Sequence, residues 1–218
     1  MLTQEIHACR SASVPLPATI FSMQPTLAGL GNPGEEYKAT HHNTGRDFCV
    51  YVLRKMGADE PEVDKKSNAL LGEAKIGKKK VLVAMPQTYM NNSGKAMKAL
   101  VRSKKAAQNL VVAYDDLDLP LGTIKISYGR SSGGHNGLES VIKALGTKDF
   151  VRIRIGIAPA TSSGKPKKPS GEKAIIDFLM GKRRPAEEEA LKKVFKKSLE
   201  AVEIIVNEGR EAAMSRFN

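Results

Sequence analysis

The feature that most constrains the fold is a continuous run of apolar residues, Leu110–Tyr114, followed directly by the acidic stretch DDLDLPLG. An uninterrupted apolar run is typical of a strand buried on both faces, as in a parallel sheet that helices cover on each side. Candidate strands and candidate helices alternate along the rest of the chain. The sequence therefore predicts an α/β fold: a single domain in which a mixed, mainly parallel sheet is flanked by helices on both faces.

Hydrophobic periodicity places the other elements. The predicted strands are Thr26–Leu30, Leu70–Ile76, Val81–Met85, Thr123–Tyr128 and Val151–Ile157. The predicted helices begin at Thr44 and Ser93, span Gly137–Leu145, and run from Pro185 to about Asn207. In Val151–Ile157 the apolar residues alternate with two arginines, so we expect Arg152 and Arg154 to lie on the face opposite the apolar side chains.

Residues 1–24 differ from the rest, because they contain Ser, Thr and Pro but only one basic residue, Arg10. We interpret them as a flexible N-terminal extension ahead of a domain that spans residues 25–218. One alternative is a start codon placed upstream of Met23. Another is an organellar transit peptide, although such segments are usually richer in Arg. We therefore expect a cytoplasmic protein, or an organellar one if the extension is a transit peptide. No apolar run is long enough to span a bilayer, so no membrane partner is expected.

The chain is strongly basic, with 35 Lys and Arg against 23 Asp and Glu, which gives a formal charge of +12. Such an excess favours a polyanionic partner, with nucleic acid ahead of an anionic membrane. Aromatic residues make up 5% of the chain and Trp is absent, which argues against a base-stacking platform. We expect contacts to phosphates instead, from basic residues of the C-terminal third: Lys165, Lys167, Lys168, Lys182, Arg183 and Arg184.

Polar residues suited to catalysis cluster where the apolar runs stop. Asn recurs beside Gly in GLGNPG, THHNTG, MNNSG and GGHNG, and DDLD supplies carboxylates. His41 and His42 are adjacent, so on extended backbone only one of them faces a common cleft. A histidine is the natural general base at neutral pH, and either Asp115 or Asp116 would orient it. The asparagine amides would support a developing oxyanion, so the set predicts hydrolysis by an activated water.

Two other readings are less favoured. Gly29, Gly31 and Gly34 match G-x-G-x-x-G, but no predicted helix opens there to receive a pyrophosphate, so a tight turn is preferred. The three acids of DDLD invite Mg²⁺, but the other loops offer mainly amides. Cys9 and Cys49 have no zinc-site spacing. The sequence therefore predicts neither a metal nor an organic cofactor.

Five motifs occur in a fixed order: GLGNPG with the following Y and T-x-H-N, then MNNSGK, DDLDLPLG, GGHNGL and RIRIGI. Together they resemble the bacterial-type peptidyl-tRNA hydrolase family over about residues 25–210. The resemblance implies a monomeric α/β enzyme without a cofactor. It also implies the reaction, hydrolysis of the ester bond between peptide and tRNA in peptidyl-tRNA.

The resemblance also implies roles for individual residues. His42 matches the catalytic histidine of the family, and Asp115 matches the aspartate that orients it. Arg154 matches a basic residue that contacts the 5′-phosphate of tRNA. The remaining residues matched to substrate binding are Asn32, Tyr37, Met90, Asn91 and Asn136.

The chain departs from the family pattern at two positions. His41 stands where the family usually has Arg before the catalytic histidine. Ser127 stands where the phosphate clamp has a second basic residue, although Lys125 and Arg130 are close in sequence. The catalytic residues thus match the pattern more fully than the phosphate clamp does.

The family's fold also resembles that of certain intron-splicing factors, so a non-catalytic RNA-binding protein is the alternative. RNA binding alone requires neither a histidine with an aspartate partner nor a set of amides around them. The presence of His42 and Asp115 together with the three asparagines favours the hydrolase.

Overall fold

Strand β5 (Leu110–Pro120) lies inside a seven-stranded sheet, as its continuous apolar sequence predicts. The computed structural model describes residues 24–218. The strand order is β2-β3-β4-β1-β5-β7-β6. The other strands are β1 (Thr26–Gly29), β2 (Glu62–Asp64), β3 (Ala69–Ile76), β4 (Lys79–Pro86), β6 (Ile124–Tyr128) and β7 (Val151–Ala158).

The sheet is mixed, with a parallel centre. Strand β1 pairs in parallel with β4 and β5, and β5 pairs in parallel with β7. The pairs β2–β3, β3–β4 and β6–β7 are antiparallel. The predicted mixed, mainly parallel sheet is confirmed, and the carboxyl ends of β1, β4, β5 and β7 meet at one edge.

Helices cover both faces of the sheet, as predicted. Side chains of α1, α6 and α7 pack on the face that carries Val111 and Ala113 of β5. Side chains of α2, α3 and α4 pack on the face that carries Val112 and Tyr114. The helices are α1 (Thr44–Lys55), α2 (Ser93–Leu100), α3 (Lys104–Ala107), α4 (Asn136–Leu145), α5 (Glu172–Met180), α6 (Pro185–Asn207) and α7 (Arg210–Phe217). No helix of residues 24–218 is long and apolar enough to cross a membrane.

Several elements differ from the sequence prediction. Strand β5 continues past Tyr114 because Asp115 and Asp116 remain paired with β7. The edge strand β2 and the helices α3, α5 and α7 were not predicted. Strand β2 has three residues and helix α3 has four, too few to show a period. The predicted extension at residues 1–24 lies, apart from Gln24, outside the described residues and stays a prediction.

Close backbone packing places the start of α1 against the end of β5. A Cβ atom at Gly45 would overlap the carbonyl group of Ala113, so no larger residue fits there without a backbone shift. The single-turn 3-10 helix His41–Asn43 immediately precedes this contact. The two predicted histidines are therefore held over the carboxyl end of a central strand.

Candidate active site

His42 and Asp115 form a buried hydrogen-bonded pair in the middle of β5, where its apolar run stops. The Nδ1 atom of His42 lies 2.9 Å from Oδ2 of Asp115. An ionised carboxylate only accepts hydrogen bonds, so Nδ1 carries the hydrogen and Nε2 keeps a lone pair. That arrangement leaves Nε2 able to take a proton from water.

A second histidine binds the same carboxylate. Nε2 of His135 lies 3.2 Å from Oδ1 of Asp115, while its Nδ1 accepts a hydrogen bond of 3.1 Å from the backbone N–H of Leu138. Because Nδ1 is an acceptor, Nε2 carries the hydrogen and donates to Asp115. His135 thereby caps α4 and fixes the carboxylate at once. Sequence reasoning missed this residue, although it precedes Asn136 in the GGHNG motif.

His42, Asp115 and His135 form a hydrogen-bonded triad, and the charges of these residues reinforce its geometry. Burial alone would lower the pKa of His42, but the charge and the hydrogen bond of Asp115 raise it above the ordinary value. Burial alone would raise the pKa of Asp115, but the two imidazoles hold it well below its usual range. Burial, with a smaller contribution from Asp116, raises the pKa of the adjacent Tyr114 to about 12, so its hydroxyl stays neutral.

The triad is also a candidate metal site on distance alone. The donor atoms of His42, Asp115 and His135 all lie within 4.8 Å of one another. However, the bond from Leu138 places the hydrogen of His135 on Nε2, the atom that would have to ligate the metal. The donor set therefore fits a hydrogen-bonded triad better than a metal centre.

The triad faces a cleft with a volume of 510 Å³. Asn136 and the glycine loop at Gly133 and Gly134 line one side. Ile175, Ile176 and Leu179 of α5 line another side and make it apolar. The cleft therefore combines a polar floor with an apolar wall, as is common in sites for organic substrates.

Asn32 joins three of the loops around the cleft. Its Oδ1 accepts a hydrogen bond of 2.8 Å from the backbone N–H of Met90. Its own backbone N–H donates to Oδ1 of Asn43, at 2.8 Å, and its carbonyl accepts from Nδ2 of Asn43, at 3.0 Å. With Oδ1 occupied, the side-chain NH₂ group of Asn32 is the part left for a substrate. Sequence analysis included Asn43 in the asparagine set through THHNTG but gave it no separate role, and its two bonds hold this loop.

The other predicted binding residues lie around Asn32. Met90 is buried against α4, where a Cβ atom at Gly137 would overlap its sulfur. Asn91 follows it and is exposed. The ring of Tyr37 meets that of Tyr89 edge-on, with centroids 6.4 Å apart. Met90, Asn91 and Tyr37 are not among the residues that line the triad cleft, and the described contact from this group toward the site is the bond from Met90 to Asn32.

A basic groove of 450 Å³ adjoins the cleft and shares Tyr114 and Asp116 with it. Arg154 lines the groove, and its Nε donates to Oδ2 of Asp116 at 2.6 Å. Ser127 lies opposite Arg152 in the β6–β7 pair. The groove is completed by basic residues, among them Lys125 and Arg130.

The structure corrects one residue of the predicted phosphate surface. Arg183 is buried and forms ion pairs with Asp47 and Glu188, so it is a structural residue. Lys182 is exposed but donates to the carbonyls of Glu36 and Lys38. Sequence composition could not separate these cations from solvent-facing ones, because the difference lies in long-range partners.

The fold and the site together define an α/β protein whose cleft contains a histidine oriented by a buried carboxylate. The chain belongs to the peptidyl-tRNA hydrolase family, whose family model matches residues 26–218.

Relatives and solved structures agree with this assignment. A peptidyl-tRNA hydrolase from Thermoanaerobacter sp. (strain X514) is 39% identical over 193 residues, which cover 88% of this chain and 98% of that protein. Another from Herpetosiphon aurantiacus is 40% identical over 194 residues, covering 88% and 89% respectively. A crystal structure of peptidyl-tRNA hydrolase from Acinetobacter baumannii matches with a TM-score of 0.79 at 29% identity, covering 90% of this chain and 95% of that one.

Proposed function

We propose that this protein hydrolyses the ester bond between peptide and tRNA in peptidyl-tRNA, releasing free peptide and free tRNA. The observation that carries the proposal is the pair of His42 and Asp115, which leaves Nε2 of His42 free beside an open cleft. Family membership supplies the substrate class, since the matched relatives bear the name peptidyl-tRNA hydrolase.

His42 acts as the general base. Its Nε2 takes a proton from a water molecule, whose oxygen bonds to the ester carbonyl carbon, and Asp115 stabilises the resulting imidazolium. When the tetrahedral intermediate collapses, the bond to the ribose oxygen breaks and that oxygen takes the proton from His42. The products are a ribose hydroxyl and a peptide carboxylic acid, which releases its proton to solvent at neutral pH, so no cofactor is needed.

Amide groups hold the reacting atoms in this proposal. Asn136 lines the cleft beside the triad and is exposed, so its NH₂ group is available to the water or to the oxyanion. The NH₂ group of Asn32 serves the same end. We assign Asn91, Tyr37 and Met90 to contacts with the peptide and the terminal nucleotide, as the family resemblance implies, and Met90 is linked to the site through its backbone N–H bond to Asn32.

Arg154 and the basic groove receive the tRNA backbone, including its 5′-phosphate. The groove opens directly into the cleft, so one tRNA end reaches both. We propose that the enzyme acts as a monomer, as the family resemblance implies. A tRNA substrate places the enzyme where translation occurs: the cytoplasm, or an organelle if residues 1–24 act as a transit peptide.

The test is release of N-acetyl-amino acid from N-acetyl-aminoacyl-tRNA by wild type and by His42→Ala. We expect His42→Ala to lose about 10²–10⁴ in rate, the usual contribution of a general base, while still binding tRNA on filters. Free aminoacyl-tRNA should be a poorer substrate, because the cleft amides gain little from a cationic amine.

Two results would contradict the proposal. If His42→Ala retained most of its turnover, the base would lie elsewhere. If folded wild type bound tRNA and released nothing, the non-catalytic RNA-binding alternative would hold.

A further inference from the structure

Helix α5 forms a wall of the cleft, although none of its residues is buried. It has nine residues, and isolated helices of this length are marginal in water. Ile176 is 48% exposed and Met180 is 42% exposed, so packing against the core does not hold the helix. Its position must therefore depend on tethers at its ends.

His41 is a tether at the C-terminal end of α5. Its Nδ1 atom lies 3.0 Å from the carbonyl oxygen of Phe178 and 3.0 Å from that of Gly181. Each carbonyl also accepts a backbone hydrogen bond, that of Phe178 from Gly181 and that of Gly181 from His41, so the imidazole adds a further donor at the negative end of the helix. The imidazole also stacks on Phe178, with ring centroids 4.2 Å apart and planes inclined by 22°.

The partners of the ring define what it contributes. Both neighbours of Nδ1 are carbonyl oxygens, so Nδ1 carries the hydrogen. Nε2 is buried, lies 3.5 Å from Oε2 of Glu187 and forms no hydrogen bond with any of residues 24–218. The Glu187 carboxylate is already bonded to the backbone N–H and the guanidinium of Arg184. The side chain of His41 therefore contributes one N–H donor, at Nδ1, and the ring face that stacks on Phe178.

We propose that His41 is a positioning residue that holds the α5 wall over the cleft and thereby sets substrate affinity rather than the chemical step. The proposal rests on the proposed function, because the affinity is that for the peptidyl-tRNA end. His42 is the next residue, but its bond runs to Asp115 of β5 and involves no atom of α5. Loss of the side-chain donor therefore loosens the wall, which keeps the backbone bond from His41 to Gly181, and leaves the triad intact.

Two variants and one control test this proposal. His41→Leu keeps apolar bulk but removes the N–H group, whereas His41→Asn keeps an N–H group near the position of Nδ1. Val206→Ala removes buried apolar volume at the end of α6 near Lys79, so it lowers stability away from α5. Each is assayed with N-acetyl-aminoacyl-tRNA, and amide hydrogen exchange is measured across Phe178–Gly181.

In His41→Leu the wall would be correctly positioned in about one molecule in ten. Because only those molecules bind substrate well, we expect KM to rise roughly tenfold. The kcat value and the acid limb of its pH profile should not change, and the α5 amides should exchange faster. His41→Asn should recover most of the affinity. Val206→Ala should change neither KM nor α5 exchange, even at an equal loss of thermal stability.

Three outcomes would overturn the proposal: a lower kcat with a shifted pH profile, an equal KM effect in Val206→Ala, or unchanged α5 exchange in His41→Leu. The first would mean that His41 acts through His42, and the second that its role is only structural. Exchange is measured without substrate. A wild type that hydrolyses nothing would thus refute the proposed function, while exchange still tests the tether.

Discussion

The triad and the α5 wall face each other across one cleft, but they are held in opposite ways. Asp115 lies in a central strand, paired with β7, and accepts hydrogen bonds from the buried His42 and the partly buried His135. Helix α5 has no buried residue and is tied at its C-terminal end to the His41–Asn43 turn. The adjacent residues His41 and His42 therefore serve the two sides separately.

This difference indicates a division of labour. A reacting group must be held to within fractions of an ångström, which the sheet supplies through packing and paired backbone. A wall that admits a large substrate is better placed on a segment with low local stability. We therefore expect substitutions in the triad to lower kcat, and substitutions in α5 to change KM.

The largest effect should come from Asp115→Asn. The amide side chain presents an NH₂ group as well as an oxygen to Nδ1 of His42, so the imidazole is no longer fixed in the tautomer that accepts a proton from water. We expect kcat to fall by about 10³–10⁴, comparable with the loss known for such a change in a serine protease triad. Steady-state turnover of N-acetyl-aminoacyl-tRNA measures it. A change in KM with kcat unchanged would contradict the expectation that triad substitutions act on kcat.

The pH profile tests the charge of the same carboxylate. Only neutral His42 acts as a base, and Asp115 raises its pKa, so wild-type activity should fall on the acid side of a midpoint above ~6.5, the ordinary imidazole value. In Asp115→Asn only burial remains, which lowers the pKa of His42, and the acid limb of the residual activity should move to lower pH. The measurement is kcat/KM against pH, corrected for spontaneous ester hydrolysis. A limb that moves to higher pH would contradict the assignment.

His135 should have a smaller effect that depends on which atom is kept. His135→Gln keeps an N–H group near Nε2 for Asp115, whereas His135→Ala removes it. Both lose the Nδ1 acceptor that caps α4, so both should lose about 0.5–2 kcal/mol of stability. We expect roughly 10–100-fold loss of kcat in His135→Ala, because a misplaced carboxylate misplaces the base, and much less in His135→Gln. An equal loss of kcat in both variants would show that the effect comes from the lost N-cap of α4 and not from the lost bond to Asp115.

The two sides of the cleft also differ in how far the sequence predicts them. Val112 and Ala113 pack against helices on opposite faces of the sheet. A strand covered on both faces has a continuous apolar sequence, so this strand could be predicted from the sequence. Asp115 was predictable as the end of that run. The second hydrogen-bond partner of Asp115 could not be predicted, because whether His135 or Asn136 faces the carboxylate depends on the residue at which α4 begins.

Helix α5 leaves no such pattern. Its apolar residues line the cleft instead of the core, so their spacing matches no buried face. Its tether, His41, lies 137 residues from Phe178 in sequence. The expectation that only one of the two histidines faces the cleft was confirmed, but on a 3-10 turn instead of extended backbone.

The smallest effect should come from the wall itself. Ile176→Ala removes apolar surface that lines the cleft, and each buried methylene contributes about 0.8 kcal/mol to association. Because Ile176 is half exposed, we expect KM to rise only a few-fold, kcat to stay constant, and stability to change by less than about 0.5 kcal/mol. Met180→Ala, on the same helix and comparably exposed, is the matched control, since Met180 does not line the cleft. A fall in kcat for Ile176→Ala at constant KM would show that the wall takes part in the chemical step, and the division between the two sides would fail.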